Sequence, residues 1–191
     1  MNKKLRLLAL VAALGMPFTV AQASKDSNAA ALFQNAHESA GYFPGAYGYA
    51  VFPTIGKGGL GIGAAHGSGH VYSHGHRLGH VTMNQLSIGF QAGGEAYSEI
   101  IFFKDKAALD DFTSGNFEFS ADAGVVVITA AAAASVGTEG ADGSASAGKR
   151  DAATTGGYNH GMAVFTIAKG GLMYNATIAG QKFSYTPNHG G

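Results

Sequence analysis

An internal repeat constrains the fold of this chain more than any other feature of its sequence. Residues 48–60 read Gly-Tyr-Ala-Val-Phe-Pro-Thr-Ile-Gly-Lys-Gly-Gly-Leu, and residues 161–172 read Gly-Met-Ala-Val-Phe-Thr-Ile-Ala-Lys-Gly-Gly-Leu. When Pro53 is skipped, 12 pairs align and 10 of them are identical. Two copies are too few for a solenoid array. The repeat therefore predicts two corresponding β-hairpins, each with a Lys-Gly-Gly turn in which glycine supplies the positive φ.

The chain begins with the pattern of a secretory signal peptide. Three basic residues among the first six precede an uncharged apolar stretch at 7–20, and Ala-Gln-Ala at 21–23 supplies the small-residue cleavage pattern. The 14 residues of the apolar stretch fall short of the about 20 that a membrane-spanning helix needs. We therefore expect residues 1–23 to be removed and the mature chain to be exported to the bacterial periplasm.

Composition limits the classes of partner that the mature chain can bind. Removal of 1–23 takes three of the 12 basic residues and none of the 12 acidic ones, which leaves 168 residues with a net charge of −3. That length fits one domain, and that charge argues against nucleic acid. Any contact with an anionic membrane must come from a local patch or from apolar burial. The chain has no cysteine, so hydrophobic packing must hold the fold together.

Local patterns predict an ordered series of elements. Residues 24–40 are expected to form an N-terminal helical segment, because their apolar residues recur near helical spacing before Gly41 and Pro44 end it. Residues 41–191 are expected to form the domain itself. Its further predicted elements are a hairpin with its turn at 73–77, a buried strand at 98–103, a short helix capped by Asp105, strands at 117–119 and 125–129, a mobile loop at 137–155 and a final hairpin that ends at 185.

Glycine alternates along the segment that follows the first copy of the repeat. Its positions there are all odd: Gly59, Gly61, Gly63, Gly67 and Gly69. Larger side chains occupy the even positions. Because successive residues of a strand point to opposite faces, the glycines would share one face. A face without side chains lets another backbone approach closely. We expect tight packing within the domain at this face rather than an open ligand groove.

Taken together, these segments resemble the SYLF domain family over about residues 41–185. The matching landmarks, in the order of the family, are Ala-Val-Phe-Pro at 50–53, Gly-Lys-Gly-Gly at 56–59, Ser-Ile-Gly-Phe-Gln-Ala-Gly-Gly at 87–94, Glu-Ile-Ile-Phe-Phe at 99–103, Ala-Leu at 108–109, Phe-Glu-Phe at 117–119, Ala-Asp-Ala-Gly at 121–124 and Lys-Gly-Gly-Leu at 169–172. The resemblance implies an α+β fold: a single compact domain dominated by antiparallel strands and hairpins, with a few short helices.

The same resemblance implies phospholipid binding, including phosphoinositides in eukaryotic relatives, some of which also bind or bundle actin. Exported bacterial members are described as lipid-binding. The amphipathic N-terminal helix that contributes to membrane contact in eukaryotic members is not basic here and follows a signal peptide. Because a periplasmic protein does not ordinarily meet actin or phosphoinositides, only lipid binding in general is expected of this chain.

The candidate lipid-binding residues are cationic. Lys57 and Lys169 are expected at the paired turns, where their ammonium groups would meet headgroup phosphates as point charges. Arg77 and Lys182 are further candidates. Interfacial aromatic contact would come from Tyr72, Phe90 or Phe183. The expected partner is anionic phospholipid or a membrane surface.

Two further sequence patterns bear on nucleotide binding and on catalysis. Residues 56–61 fit G-x-G-x-x-G, but a glycine-rich strand follows instead of the helix that a dinucleotide site needs. Glu95 and Glu99 would form an acid–base pair only if the tertiary structure set their separation. We predict no catalytic residue, no cofactor and no enzymatic activity. The alternative to a lipid-binding module is a structural or interaction protein of the periplasm, with an envelope protein as partner and with only incidental lipid contact.

A histidine cluster leaves a metal-binding alternative open. Five histidines fall within 15 residues of each other, and neutral imidazole suits zinc, copper or nickel: His66, His70, His74, His76 and His80. No acidic residue or cysteine lies near them in the sequence. We interpret the segment as a solvated polar turn, and we predict no metal site.

Overall fold

The structure is a computed structural model that describes residues 18–120, 122–128, 157–170 and 178–188, and the side chains of these residues other than 18–22, 60, 61, 88–92 and 170. Most of the predicted signal peptide and the whole of the predicted loop at 137–155 lie outside the described residues. The described elements, in chain order, are α1 (Phe18–Asn35), α2 (His37–Ala40), β1 (Gly48–Ser73), β2 (His76–Phe103), α3 (Lys106–Phe112), β3 (Phe117–Glu118), β4 (Val126–Ile128), β5 (Met162–Gly170) and β6 (Gln181–Pro187). A single, mostly antiparallel sheet with few helices agrees with the predicted architecture.

A long two-stranded ribbon forms the centre of the sheet. Strands β1 and β2 pair antiparallel along their whole length, from Gly48 opposite Phe103 to Ser73 opposite His76. The two-residue turn between them, His74–Gly75, has φ of 50° and 80°. Positive φ at both central positions is the conformation that matches the twist of a hairpin. The predicted hairpin at 73–77 is therefore confirmed.

The ribbon bends sharply near its middle and folds back on itself. Its register shifts between Leu60 and Ile62, opposite residues 88–92. A Cβ at Gly69 would overlap the carbonyl oxygen of Val51, and a Cβ at Gly67 would lie 3.1 Å from the carbonyl oxygen of Thr54. The second half of β1 thus packs directly against its first half. The glycine face predicted from the alternation serves this internal close approach, as expected.

The remaining strands extend the sheet from the far side of β2. Strand β6 pairs with residues 79–85 of β2, and β5 pairs with residues 96–103. The order of strands is β3-β6-β2-β5-β4, with β1 on β2 as well, and the pairing of β4 with β5 is parallel. The predicted final hairpin is wrong, because β5 and β6 each pair with β2 instead of with one another.

The two copies of the repeat flank the same segment of β2. The first copy lies in β1, where its Lys-Gly-Gly segment continues the strand, so the predicted hairpin with its turn at Lys57 is wrong. The second copy lies largely in β5, which includes Lys169, and its last two residues, 171 and 172, lie outside the described residues. In the repeat, Phe52 of the first copy corresponds to Phe165 of the second. Phe52 lies opposite Glu99 of β2, whereas Phe165 lies opposite Ile100, so the second copy is displaced by one residue along β2. Equivalent side chains therefore point to opposite faces of the sheet, as a half-turn about the axis of β2 would place them.

Two hydrophobic cores lie on the two faces of the sheet. The inner core lies between the folded halves of the ribbon, and its buried phenylalanines are Phe52, Phe103, Phe112, Phe119 and Phe183. The outer core lies on the other face, where Phe33 of α1 packs among Phe102, Phe165 and Ile128. Helix α3 closes the inner core, and the side chain of its predicted cap, Asp105, accepts a hydrogen bond of 3.0 Å from the backbone of Ala108.

Candidate functional site

A patch of exposed aliphatic side chains lies at the bend of the ribbon. Ile62 is 67% exposed and Leu86 is 79% exposed, whereas most large apolar side chains of the described residues are buried. Ala64, also exposed, lies directly opposite Leu86, and Ile62 precedes it by two residues on the same outer face. We call these three residues the bend patch. Exposed aliphatic side chains that cluster in this way are typical of interaction sites.

Polar and cationic side chains border the bend patch on the outer face. In the register of β6 and β2, Lys182 lies opposite Asn84. Asn84 precedes Leu86 by two residues and therefore lies next to it on the outer face. The Oδ1 atom of Asn84 also forms a hydrogen bond of 2.8 Å with Nδ1 of His66. The Lys182 ammonium lies 3.5 Å from the Glu118 carboxylate, and both side chains are largely exposed. This row therefore places a partly neutralised cation beside the aliphatic surface.

The structure separates the other predicted lipid-binding cations. Lys57 lies on the inner face opposite Glu95, two residues from buried Ile55. Lys169 lies on the outer face, where its Nζ donates a 2.9 Å hydrogen bond to Thr54. Burial, and then the nearby charge of Lys25 in α1, lowers the pKa of Lys169. The two lysines therefore do not share the single surface that paired turns would have given.

The remaining candidates lie elsewhere in the fold. Arg77 is exposed at the hairpin tip, opposite Tyr72 and at the far end of the ribbon from the bend. Phe183 is 1% exposed within the inner core, so the prediction that it contacts a membrane interface is wrong. Tyr72 is half-buried and donates a 2.7 Å hydrogen bond to Asp26, and the side chain of Phe90 lies outside the described residues.

The histidines are divided between the tip and the outer face of the ribbon. His70 and His80 lie opposite one another with ring centroids 5.3 Å apart, whereas His74 and His76 flank Gly75 at the tip. The buried Asp26 carboxylate of α1 lies 2.6 Å from Nδ1 of His70. No local pattern in the sequence indicates Asp26 as a partner of His70, because the contact spans 44 residues. In the described part of the chain, no three histidine or acidic side chains converge as a metal site would require.

A group of buried polar side chains inside the inner core also escaped sequence reasoning. Tyr97, Glu99, Thr166 and Gln181 are each at most 4% exposed, and we call them the inner polar cluster. Nε2 of Gln181 lies 3.0 Å from Oε2 of Glu99 and 3.4 Å from the Tyr97 hydroxyl. Burial raises the pKa of Glu99 to about 7, against a smaller opposing effect of the Gln181 hydrogen bond. Burial, followed by the charge of Glu99, raises the pKa of Tyr97.

No helix in the described residues combines the length and the apolar character that a membrane span requires.

A family model whose description reads "Ysc84: Las17-binding protein actin regulator" matches residues 84–188. The chain is also similar to Beta cell expansion factor A of Aeromonas veronii, with 33% identity over 144 residues. That alignment covers 74% of this chain and 46% of the relative, so the chain spans about half the length of that protein. The model match extends over more than half of the sequence, and the chain belongs to the Ysc84, or SYLF, family.

Proposed function

We propose that this chain is a non-enzymatic phospholipid-binding module that is exported to the bacterial envelope and rests on an anionic membrane surface. The bend patch is the observation that carries the proposal. Its two large side chains, Ile62 and Leu86, leave most of their surface in water on the same face as the Lys182 ammonium. Such an arrangement would insert aliphatic groups among acyl chains while a cation meets headgroup phosphates.

The size of the bend patch fits reversible attachment. Full burial of a leucine or isoleucine side chain contributes about 1.5–3 kcal/mol, so burial of the exposed parts of Ile62 and Leu86 contributes about 2–4 kcal/mol. A contact of that size reaches millimolar affinity at most, for which about 4 kcal/mol is needed. We therefore assign the rest of the affinity first to Lys182, which shares the outer face with the bend patch. Lys57 lies near the bend but on the inner face, Lys169 is hydrogen-bonded to Thr54, and Arg77 lies at the far end of the ribbon, so these three cations would contribute less.

Liposome flotation of the mature chain tests the proposal. Vesicles of phosphatidylglycerol are expected to carry the wild type, and the double variant Ile62→Ser/Leu86→Ser is expected to bind at least about tenfold more weakly, since it loses more than about 1.4 kcal/mol. Val127→Ser is the matched control, because Val127 is 44% exposed on the edge strand β4, away from the bend. Equal flotation of the double variant and the wild type would refute a role of the bend patch.

A second series of variants tests how much the charged side chains contribute to membrane binding. Lys182→Gln is expected to weaken binding to phosphatidylglycerol, and Glu118→Gln is expected to strengthen it, since it frees the Lys182 ammonium. Lys57→Glu combined with Lys169→Glu tests the two lysines of the repeat. Flotation that is unchanged in all three variants would show that headgroup charge plays no part.

A structural or interaction protein of the envelope is the second candidate. Strand β4 lies at the edge of the described sheet and leaves Val127 partly exposed, which suits the addition of a strand from a partner. Recovery of a specific envelope protein together with absence of binding to protein-free vesicles would favour this candidate over the lipid-binding module.

A further inference from the structure

The inner polar cluster has no part in the proposed membrane contact. Three strands bring its side chains together: β2 contributes Tyr97 and Glu99, β5 contributes Thr166, and β6 contributes Gln181. Thr166 and Glu99 lie directly opposite in the register, which places their Cβ atoms about 4.5–5.5 Å apart on the same face. The Gln181 amide nitrogen lies 3.0 Å from the Glu99 carboxyl group. Glu99 and Gln181 are therefore in direct contact inside an apolar core, and Thr166 lies beside Glu99 on the same face.

Several buried oxygens of the cluster can accept a hydrogen bond but have none. Three of its buried oxygens have no hydrogen-bond partner among the described residues: Oε1 of Glu99, Oε1 of Gln181 and Oγ1 of Thr166. The Gln181 amide nitrogen is already occupied by Glu99. None of the ion pairs in the described part of the chain includes Glu99. Buried polar groups in folded proteins nearly always have partners, so the cluster suits a guest that donates several hydrogen bonds and carries positive charge.

We propose that the inner polar cluster binds a primary ammonium group, with Glu99 as its counter-ion and with Thr166 and Gln181 as its further acceptors. An ammonium group supplies at least three N–H donors and a positive charge, which matches three acceptors of which one is a carboxyl oxygen. A water molecule offers two donors and no charge. Calcium takes six to eight oxygen ligands, several of them anionic, and the cluster has a single carboxylate.

A polar path along β2 leads from the cluster toward the bend. The inner face of this strand carries Glu99, fully buried, then Tyr97, 4% exposed, and then Glu95, half-buried and opposite Lys57. The ammonium group could belong to a small free amine or to an ethanolamine headgroup, because both present the same chemistry. The inference does not depend on the proposed membrane contact.

Thermal unfolding of the full chain at pH 7.5 tests the site. Ammonium chloride and ethanolamine hydrochloride are compared with choline chloride at equal ionic strength, because choline carries a positive charge without N–H donors. At ten times the dissociation constant, the first two salts should raise the unfolding midpoint by about 4 °C, and choline should not. The shift should vanish in Glu99→Gln, and it should persist in the matched control Glu118→Gln, whose carboxylate is exposed.

The shift should also shrink at pH 5.5. Burial raises the pKa of Glu99 to about 7, so the carboxyl group is protonated at that pH and no longer attracts a cation. The titratable group beside it is Tyr97, and Glu95 and Lys57 follow toward the bend. Phe52 of β1, Thr166 of β5 and Gln181 of β6 face Glu99 without titrating.

Two results would overturn the inference. Equal midpoints in all three salts would mean that the cluster accommodates only water, and a shift retained in Glu99→Gln would place the bound amine elsewhere. Vesicles of phosphatidylethanolamine and phosphatidylcholine then distinguish the source of the group. Stabilisation by the first alone identifies the headgroup, and equal effects identify a free amine. Failure of every vesicle to bind would contradict the proposed membrane function while leaving the ammonium shift in solution intact.

Discussion

Replacement of Glu99 by glutamine is expected to remove a large pH dependence from the stability of this protein. Burial raises the pKa of Glu99 from 4.5 to about 7 in the folded state. The unfolded chain therefore releases this proton at lower pH than the folded chain does. Stability is fully present below about pH 4.5, and it falls as the pH rises through about 7. Because a tenfold change in proton affinity corresponds to about 1.4 kcal/mol, the stability lost over this pH range amounts to about 3 kcal/mol.

Glutamine retains the shape of the side chain and removes the charge. Its amide oxygen could accept from Nε2 of Gln181, and its own N–H groups could donate to the unpartnered oxygens of Gln181 and Thr166. Urea unfolding followed by far-ultraviolet circular dichroism, at pH 5 and pH 8 in buffers without amines, measures the difference between variant and wild type. From the two pKa values, this difference should grow by about 2–3 kcal/mol in favour of Glu99→Gln between the two pH values.

Other titrating groups change both proteins alike, so they cancel in this comparison. Glu118→Gln serves as the control, because Glu118 is largely exposed and its substitution should leave the pH dependence of stability within about 0.5 kcal/mol of the wild type. A difference between Glu99→Gln and the wild type that stays constant from pH 5 to pH 8 would refute the reasoning. It would mean that the folded protein leaves the Glu99 carboxylate hydrated or paired with a cation.

Two further predictions concern the bend and export. Gly69→Ala should lower the free energy of unfolding by at least about 2 kcal/mol, because the new methyl group would overlap the Val51 carbonyl, whereas Gly56→Ala, with open space around it, should change it by less than about 1 kcal/mol; urea unfolding measures both, and equal values would contradict the close approach. Expression of the full chain in a secreting bacterium should yield a periplasmic protein that begins at Ser24, and mass spectrometry of an uncleaved cytoplasmic chain would contradict export.

The elements that could be predicted from the sequence are those fixed by chemistry within a few residues. A hairpin turn at His74–Gly75 followed from turn residues between alternating strands. The short helix after Asp105 followed from its cap and from the helical spacing of Ala108, Leu109 and Phe112, all of them buried. The buried strand at 98–103 followed from its run of apolar residues. In each case the deciding partner lies nearby in the chain.

The role of the repeat could not be predicted from the same information. Two similar segments can form two similar hairpins or can pair with opposite edges of one strand, and the sequence is identical in both cases. Only the register of β2 shows that the copies are offset by one residue. Because a one-residue offset moves every side chain to the other face, the offset places Lys57 and Lys169 on opposite faces of the sheet.

The sequence by itself thus determined the family, the absence of disulfide bonds and most of the local elements. The tertiary structure alone decided which residues became exposed at the bend and which polar groups became buried. Ile62 and Leu86 follow the ordinary alternation of strand residues. They are exposed because the ribbon folds with its inner face covered and leaves these two side chains on the outer face. Glu99 lies in an apolar run and is enclosed only because strands from distant parts of the chain pack around it. Exposure and burial depend on contacts between distant segments, and periodicity along the chain does not contain that information.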